Sequence, residues 1–208
     1  MADQREPCPI QPPTIFIYLG FQGSTMYAYK SIVLSGNPGS GKSVLAMALS
    51  KKYGWPVHSM GGLWRNKYKE LHPKGEITFE EFWGRTTAED SRQMNEQAKK
   101  IFENGGMIGD SRYVSYLDKK VCLLVFVTAD IDTRARRAQN RDEYKTMPVQ
   151  EIKKILEKRE KDELKIGEGL FGIDYRNVDY YHVVINTGMM TVEQEVGVIE
   201  ALMDGPVR

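Results

Sequence analysis

Cysteine, histidine and long apolar runs are all scarce in this chain, and each scarcity removes a class of explanation. The 208 residues include 2 cysteines, Cys8 and Cys122. Two cysteines so far apart make neither a disulfide framework nor a zinc site, and they suit a reducing compartment. Cys122 lies within the apolar run Val121–Val127 and reads as a small core residue. The 3 histidines, His58, His72 and His182, show no metal-ligand spacing. No apolar stretch approaches the ~18 residues of a membrane span. Thr14–Phe21 is the only apolar stretch near the start. It lacks a basic flank and is interrupted by Gly20, so it is a poor signal peptide. A formal net charge of +1 leaves no surplus for a nucleic-acid or membrane surface. The expectation is a soluble, cytoplasmic protein of one domain, with no nucleic-acid or membrane partner.

Proline is concentrated at one end. Pro7, Pro9, Pro12 and Pro13 crowd the start, and residues 1–25 show no apolar period. They read as a disordered or loosely docked extension. Met26 stands just before the first strand, so it is a candidate native start, with 1–25 as upstream read-through; the intact mass of the native protein tests this. Residues 26–208 read as the folded domain.

From Ser31 onward, strand and helix signals alternate, which favours a parallel sheet covered on both faces. Strands are expected at Ser31–Leu34, Val57–Met60, Gly105–Gly109, Val121–Thr128 and Val183–Ile185. Helices are expected at Ser43–Lys52, Gly61–Glu70, Thr78–Arg85, Glu89–Asn104, Asp132–Asn140, Val149–Lys165 and Thr191–Met203.

One motif decides the class. Gly36-Asn37-Pro38-Gly39-Ser40-Gly41-Lys42-Ser43 fits G-x-x-x-x-G-K-[ST], the phosphate-binding loop between a strand and a helix. Glycines let successive N–H groups turn toward one anion. Lys42 can reach the β- and γ-phosphates, and the Ser43 hydroxyl can hold Mg²⁺. The positive end of the following helix lies under the phosphates. The motif implies a nucleoside triphosphate and an α/β, P-loop NTPase fold of three α/β/α layers around a central parallel sheet.

In such a sheet, ligands collect outside the carboxyl ends of the strands. Gly61 and Arg65 follow the second strand, Asp110 and Arg112 the third, and Asp130 the fourth. Two arginines and an acid beside the triphosphate suit a second, anionic substrate. Asp110 and Asp130 could each lie near Mg²⁺ or simply cap a turn or helix. Arg134, Arg137 and Arg141 share one helical face, together with Arg136 nearby. They could clamp a phosphoryl group in flight or form a solvated face balanced by Asp132, Asp142 and Glu143. The polar stretch around 135–170 suits a helical lid that excludes water during transfer.

With these residues in place, the chain resembles the short, archaeal-type cytidylate kinases among the nucleoside monophosphate kinases. The resemblance runs from about Tyr29 to the last helix. It rests on Gly36–Ser43, Gly61-Gly62-Leu63-Trp64-Arg65, Phe79-Glu80-Glu81-Phe82, Gly109-Asp110-Ser111-Arg112, Arg134-Ala135-Arg136-Arg137 with Arg141, Arg159-Glu160-Lys161-Asp162, Phe171-Gly172-Ile173-Asp174 and Val184-Ile185-Asn186-Thr187. It implies transfer of the ATP γ-phosphate to CMP or dCMP, with Mg²⁺, by a protein that is often a monomer. It implies that Lys42 and the loop amides hold ATP, that Ser43 holds Mg²⁺, and that Arg65 and Arg112 grip the monophosphate beside Asp110. Arg134, Arg137, Arg141, Arg159 and Asp162 would act from the lid. Three positions depart from the pattern. Ile166 stands where an arginine is usual, His182 where an aspartate is usual, and Asn95 where an acid that reads the monophosphate is expected.

Overall fold

Ser31–Gly36 forms β1, buried along its whole length, and the remaining strands are ordered around it. The computed structural model describes residues 28–77, 81–82, 85–141 and 144–204. The proposed extension at 1–25 and the start at Met26 lie outside the described residues. In chain order the elements are β1, α1 (Lys42–Tyr53), β2 (Val57–Ser59), α2 (Met60–Leu71), α3 (Ala88–Asn104), β3 (Met107–Asp110), β4 (Cys122–Thr128), α4 (Ile131–Gln139), α5 (Val149–Phe171), β5 (Val183–Asn186) and α6 (Val192–Met203). The expected helix at Thr78–Arg85 falls largely outside the described residues, though Glu81 and Phe82 are helical.

All described strand pairings are parallel, in the order β2-β3-β1-β4-β5. The pleat explains the layers. Successive side chains of a strand face opposite ways. Ile32 and Leu34 point to one face and join Leu45, Leu49, Ile199 and Met203 from α1 and α6. Val33 points to the other and joins Ala98 and Phe102 of α3, with Phe126, Tyr175 and Tyr181. Each fully buried Leu or Ile contributes roughly 1.5–3 kcal/mol relative to exposure. Cys122 sits in this second cluster, where burial pushes its thiol up to about 12, so it is a packing residue rather than a nucleophile. The result is the three-layer P-loop fold that the motif implied.

The boundaries move for local reasons. Ser59 caps α2, accepting from the Gly62 N–H at 3.3 Å, so that helix starts before Gly61. Thr87 and Asp90 form a reciprocal capping box that starts α3 at Ala88. Gly105 and Gly106 both have positive φ, at 98° and 69°, and make the turn that enters β3 rather than part of the strand. The largest difference from the expected bounds is in α5. It was expected to end at Lys165 but continues through Gly167 and Gly169 to Phe171. Gly172, with φ of 66°, is where the left-handed cap stops the helix. Among the described residues, no helix is long and apolar enough to cross a membrane.

Candidate active site

β1 ends at Gly36, and the backbone there has no room for a side chain. Its φ is 136°, and a Cβ would lie 1.9 Å from the Val127 carbonyl oxygen of β4. The loop thus leaves the sheet along one fixed path. Asn37 continues it: its N–H donates to the Val127 carbonyl at 3.3 Å, and its Oδ1 accepts from Thr128 Oγ1 at 3.0 Å. Gly39 and Gly41 have φ of 79° and 95°. α1 then starts at Lys42 with no side-chain cap on its N-terminus.

This loop fits a polyphosphate. An uncapped helix N-terminus directs N–H groups and positive dipole at an anion. Ser40 Oγ is buried with no hydrogen-bond partner among the described residues. Lys42 Nζ donates to two loop carbonyls, Gly36 and Asn37, each at 3.0 Å. Burial, and next the Arg112 guanidinium, push its ammonium down to about 7. An arriving phosphate would restore the charge. Ser43 is exposed at the mouth of the loop. Among the described residues no cluster of three or more His, Cys, Asp or Glu could hold a metal ion. The available donor is a hydroxyl beside a phosphate seat, which suits Mg²⁺ held mostly by phosphate and water.

Arginines of α4 brace the loop from below. Arg134 Nη1 donates to the Pro38 carbonyl at 3.3 Å and to Glu160 Oε2 of α5 at 3.0 Å. Arg137 Nη1 donates to Thr187 Oγ1 at 2.7 Å and to the Ser40 carbonyl at 3.3 Å, while its Nη2 donates to the Thr187 carbonyl at 2.8 Å. Two of the arginines on this helical face, Arg134 and Arg137, are thus held by protein acceptors. Asp130 is the N-cap of α4, accepting from the Thr133 N–H at 2.9 Å and the Thr133 hydroxyl at 2.6 Å. Of its two sequence readings, the cap is the one realised.

A cleft of about 1680 Å³ opens above the carboxyl ends of the strands. A pocket for one small ligand is typically about 300–1,000 Å³, so this one has room for two. It brings together Pro38–Ser43, Gly61, Arg65, Asp110, Arg112, Arg137, Arg141, Arg159 and Asp162. Of the residues expected in the site, Gly36, Asn37 and Arg134 are not on its wall. Gly36 and Asn37 shape the loop from within the sheet, and Arg134 is buried beneath it at 7% exposure.

Across from the loop, Arg112 lies over the Tyr175 ring at 5.3 Å and donates to Glu163 at 3.0 Å. Its carbonyl accepts from Ser35 Oγ of β1 at 2.7 Å, and Ser35 in turn accepts from the Tyr181 hydroxyl at 3.0 Å. Ile166 and Asn95, two of the departures, also line the cleft. His182 does not. It lies toward the amino ends of the strands, where its Nδ1 accepts from the Leu124 N–H at 2.9 Å and its Nε2 meets the Lys119 carbonyl at 3.0 Å. Those partners require the neutral Nε2–H tautomer, and burial pushes the group below the usual histidine value.

The site also holds residues assigned no role from the sequence: Glu160 and Thr187, which lie within the motifs named above, and Glu163 and Tyr175, which do not. The i, i+4 pair Arg159–Glu163 was visible on a helix. Its link to Arg112 was not, because that contact is set by how α5 packs across the strand ends.

The cytidylate kinase-like family matches residues 31–189 of the chain. The chain belongs to that family. Its span runs from the first residue of β1 to just past Thr187, so it contains every residue of the cleft named above. Among similar proteins, the cytidylate kinase of Thermoplasma volcanium is 30% identical over 178 residues, 78% of this chain and 85% of the relative. That of Thermoplasma acidophilum is 29% identical over 172 residues, 76% and 84% of the two chains. A solved protein from Eubacterium ventriosum aligns with a TM-score of 0.62 and 19% identity, covering 85% of this chain and 99% of the other. Shikimate kinase from Bacteroides thetaiotaomicron aligns with a TM-score of 0.51 and 16% identity, covering 83% and 97%. At those identities the two structures show the P-loop kinase fold alone.

Proposed function

We propose that the chain transfers the γ-phosphate of ATP to a pyrimidine nucleoside monophosphate, CMP or dCMP. The observation that carries this is one cleft holding both a phosphate-binding loop and, facing it, an arginine at the end of β3, in a chain of the cytidylate kinase-like family. The loop amides and Lys42 hold the donor phosphates, and Ser43 would hold Mg²⁺. That ion, when bound, supplies charge neutralisation at the β/γ-oxygens. Arg112 and Arg65 hold the acceptor phosphate, with Asp110 beside them. Arg137 and Arg134 keep the loop backbone in shape. Arg141, Arg159 and Asp162 lie at the edge of α4 and on α5, where closure would bring them over the reacting groups and shed water. Phosphoryl transfer needs little covalent help, so positioning and charge account for the rate.

The test is an acceptor panel. With ATP and Mg²⁺, ADP formation is followed on CMP, dCMP, UMP, AMP and GMP. Turnover is expected with CMP or dCMP. Strong turnover with AMP alone would overturn the acceptor. Binding of ATP with no turnover on any of the five would instead favour a nucleotide-binding regulator, for which Ile166 on the cleft wall is the motivating residue.

A further inference from the structure

Glu163 stands at the centre of the acceptor half of the cleft. Its Oε1 accepts from Arg112 Nη2 and from Arg159 Nε, each at 3.0 Å. The Arg112 and Glu163 side chains are each only 17% exposed. Yet the pair is unfinished. Oε2 of Glu163 and Nη1 of Arg112 are both buried, and neither has a hydrogen-bond partner among the described residues. A structural arginine–carboxylate pair gains most by closing two parallel bonds. Leaving one atom of each charge unpaired in a dry site is costly and calls for a reason.

The surroundings say which part can move. The Glu163 carbonyl accepts from the Tyr113 hydroxyl at 2.7 Å. One turn on, a Cβ at Gly167 would lie 2.9 Å from both the Tyr113 ring and the Ile173 carbonyl oxygen. α5 is thus packed tightly on the segment after β3, and the Arg112 backbone is tied to Ser35. What remains adjustable is the Arg112 guanidinium and the Glu163 carboxylate. An oxyanion arriving in the cleft would satisfy Arg112 Nη1 and compete for Nη2, while Arg159 would retain Glu163.

We propose that Glu163 is a positioning residue that takes the place of the acceptor phosphate on Arg112 in the resting protein and yields it when the acceptor binds. This rests on the acceptor site assigned above. The carboxylate keeps Arg112 aimed into the cleft and offsets the positive charge of Lys42, Arg112 and Arg159 until a phosphate arrives. Binding then exchanges one anion for another on Arg112. The exchange weakens the acceptor's grip but delivers an arginine already in position.

The experiment measures inorganic phosphate binding by calorimetry in full-length protein whose loop is filled with ADP and Mg²⁺. E163Q and E163A are expected to bind phosphate about three- to tenfold more tightly than the parent. E163D, which keeps the charge, should return close to parental affinity. In an R112A background the E163Q effect should vanish. In turnover, E163Q should lower the acceptor KM and kcat together. A merely structural role would lower the melting temperature and leave phosphate affinity unmoved. Unchanged or weaker phosphate binding in the folded variants overturns the proposal, as does an equal effect without Arg112. Parent protein that shows the phosphate behaviour but phosphorylates no nucleoside monophosphate would remove the proposed function and leave the role of Glu163 standing.

Discussion

The proposed donor half of the cleft is lined by the consecutive residues Pro38–Ser43, whereas the proposed acceptor half gathers Arg65 from α2, Arg112 from the end of β3 and Arg159 from α5. The first is held by main-chain geometry: positive-φ glycines and a helix N-terminus without a side-chain cap. The second is held by side chains, with Arg112 shared between Glu163 and the Tyr175 ring. Both halves suit phosphate, but one is stiff and local and the other is adjustable and assembled from a distance. The difference predicts where each half fails and which kinetic parameter reports the failure.

Gly36→Ala strikes the stiff half hardest. With a Cβ 1.9 Å from Val127 and a φ of 136°, the loop or β4 must shift. The expected loss is at least about 4 kcal/mol in a denaturant melt, or no folded protein. A stable variant that still binds ATP would show that β4 does not fix the loop path. Lys42→Ala should next cut kcat by about 100- to 1000-fold with little change in acceptor KM. Arg112→Ala should mainly raise the acceptor KM, by about 10- to 100-fold, the scale of one charge-assisted contact. If both substitutions moved the same parameter, the two halves would not be separate.

A pH series sharpens the comparison on the donor side. The folded-state Lys42 group is pushed from 10.5 to about 7, so between those values the unfolded chain binds more protons and stability rises with pH. Below about 7 the cost of burying the ammonium is fully present. Lys42→Met removes that cost, so it should exceed the parent in stability at about pH 6, with the advantage shrinking toward pH 10 in denaturant melts. The smallest effect belongs to the far end of the sheet. His182→Ala should lose about 1 kcal/mol through the unpaired Leu124 N–H and leave kcat/KM within about twofold.

The same contrast explains what was legible in the sequence. The loop, the layer order and most helix starts are written in neighbouring residues: glycines at fixed offsets, alternating apolar strands, and caps such as Thr87 and Thr191. The end of α5 was misread because Gly167 looks like a stop. It is instead buried in the helix, where Tyr113 and Ile173 leave no space for a side chain. Arg134 reads as a lid cation on the sequence, yet its partners Pro38 and Glu160 lie 96 and 26 residues away. Likewise nothing near Glu163 in the chain announces Arg112, 51 residues earlier. Pairings of this kind arise only once α5 lies across the strand ends, so residue spacing cannot encode them visibly.

A side-chain hydrogen bond helps join the two halves. Ser35, the residue before the loop begins, donates to the Arg112 carbonyl at 2.7 Å, and the Tyr181 hydroxyl locks Ser35 from behind. The separation between the donor and acceptor anchors is therefore a length built into the sheet, like a ruler cut from two adjacent strands. Rearrangement of the Arg112 and Glu163 side chains leaves that length unchanged. Substrates that differ in base or sugar would still present their phosphates at the same distance from the loop.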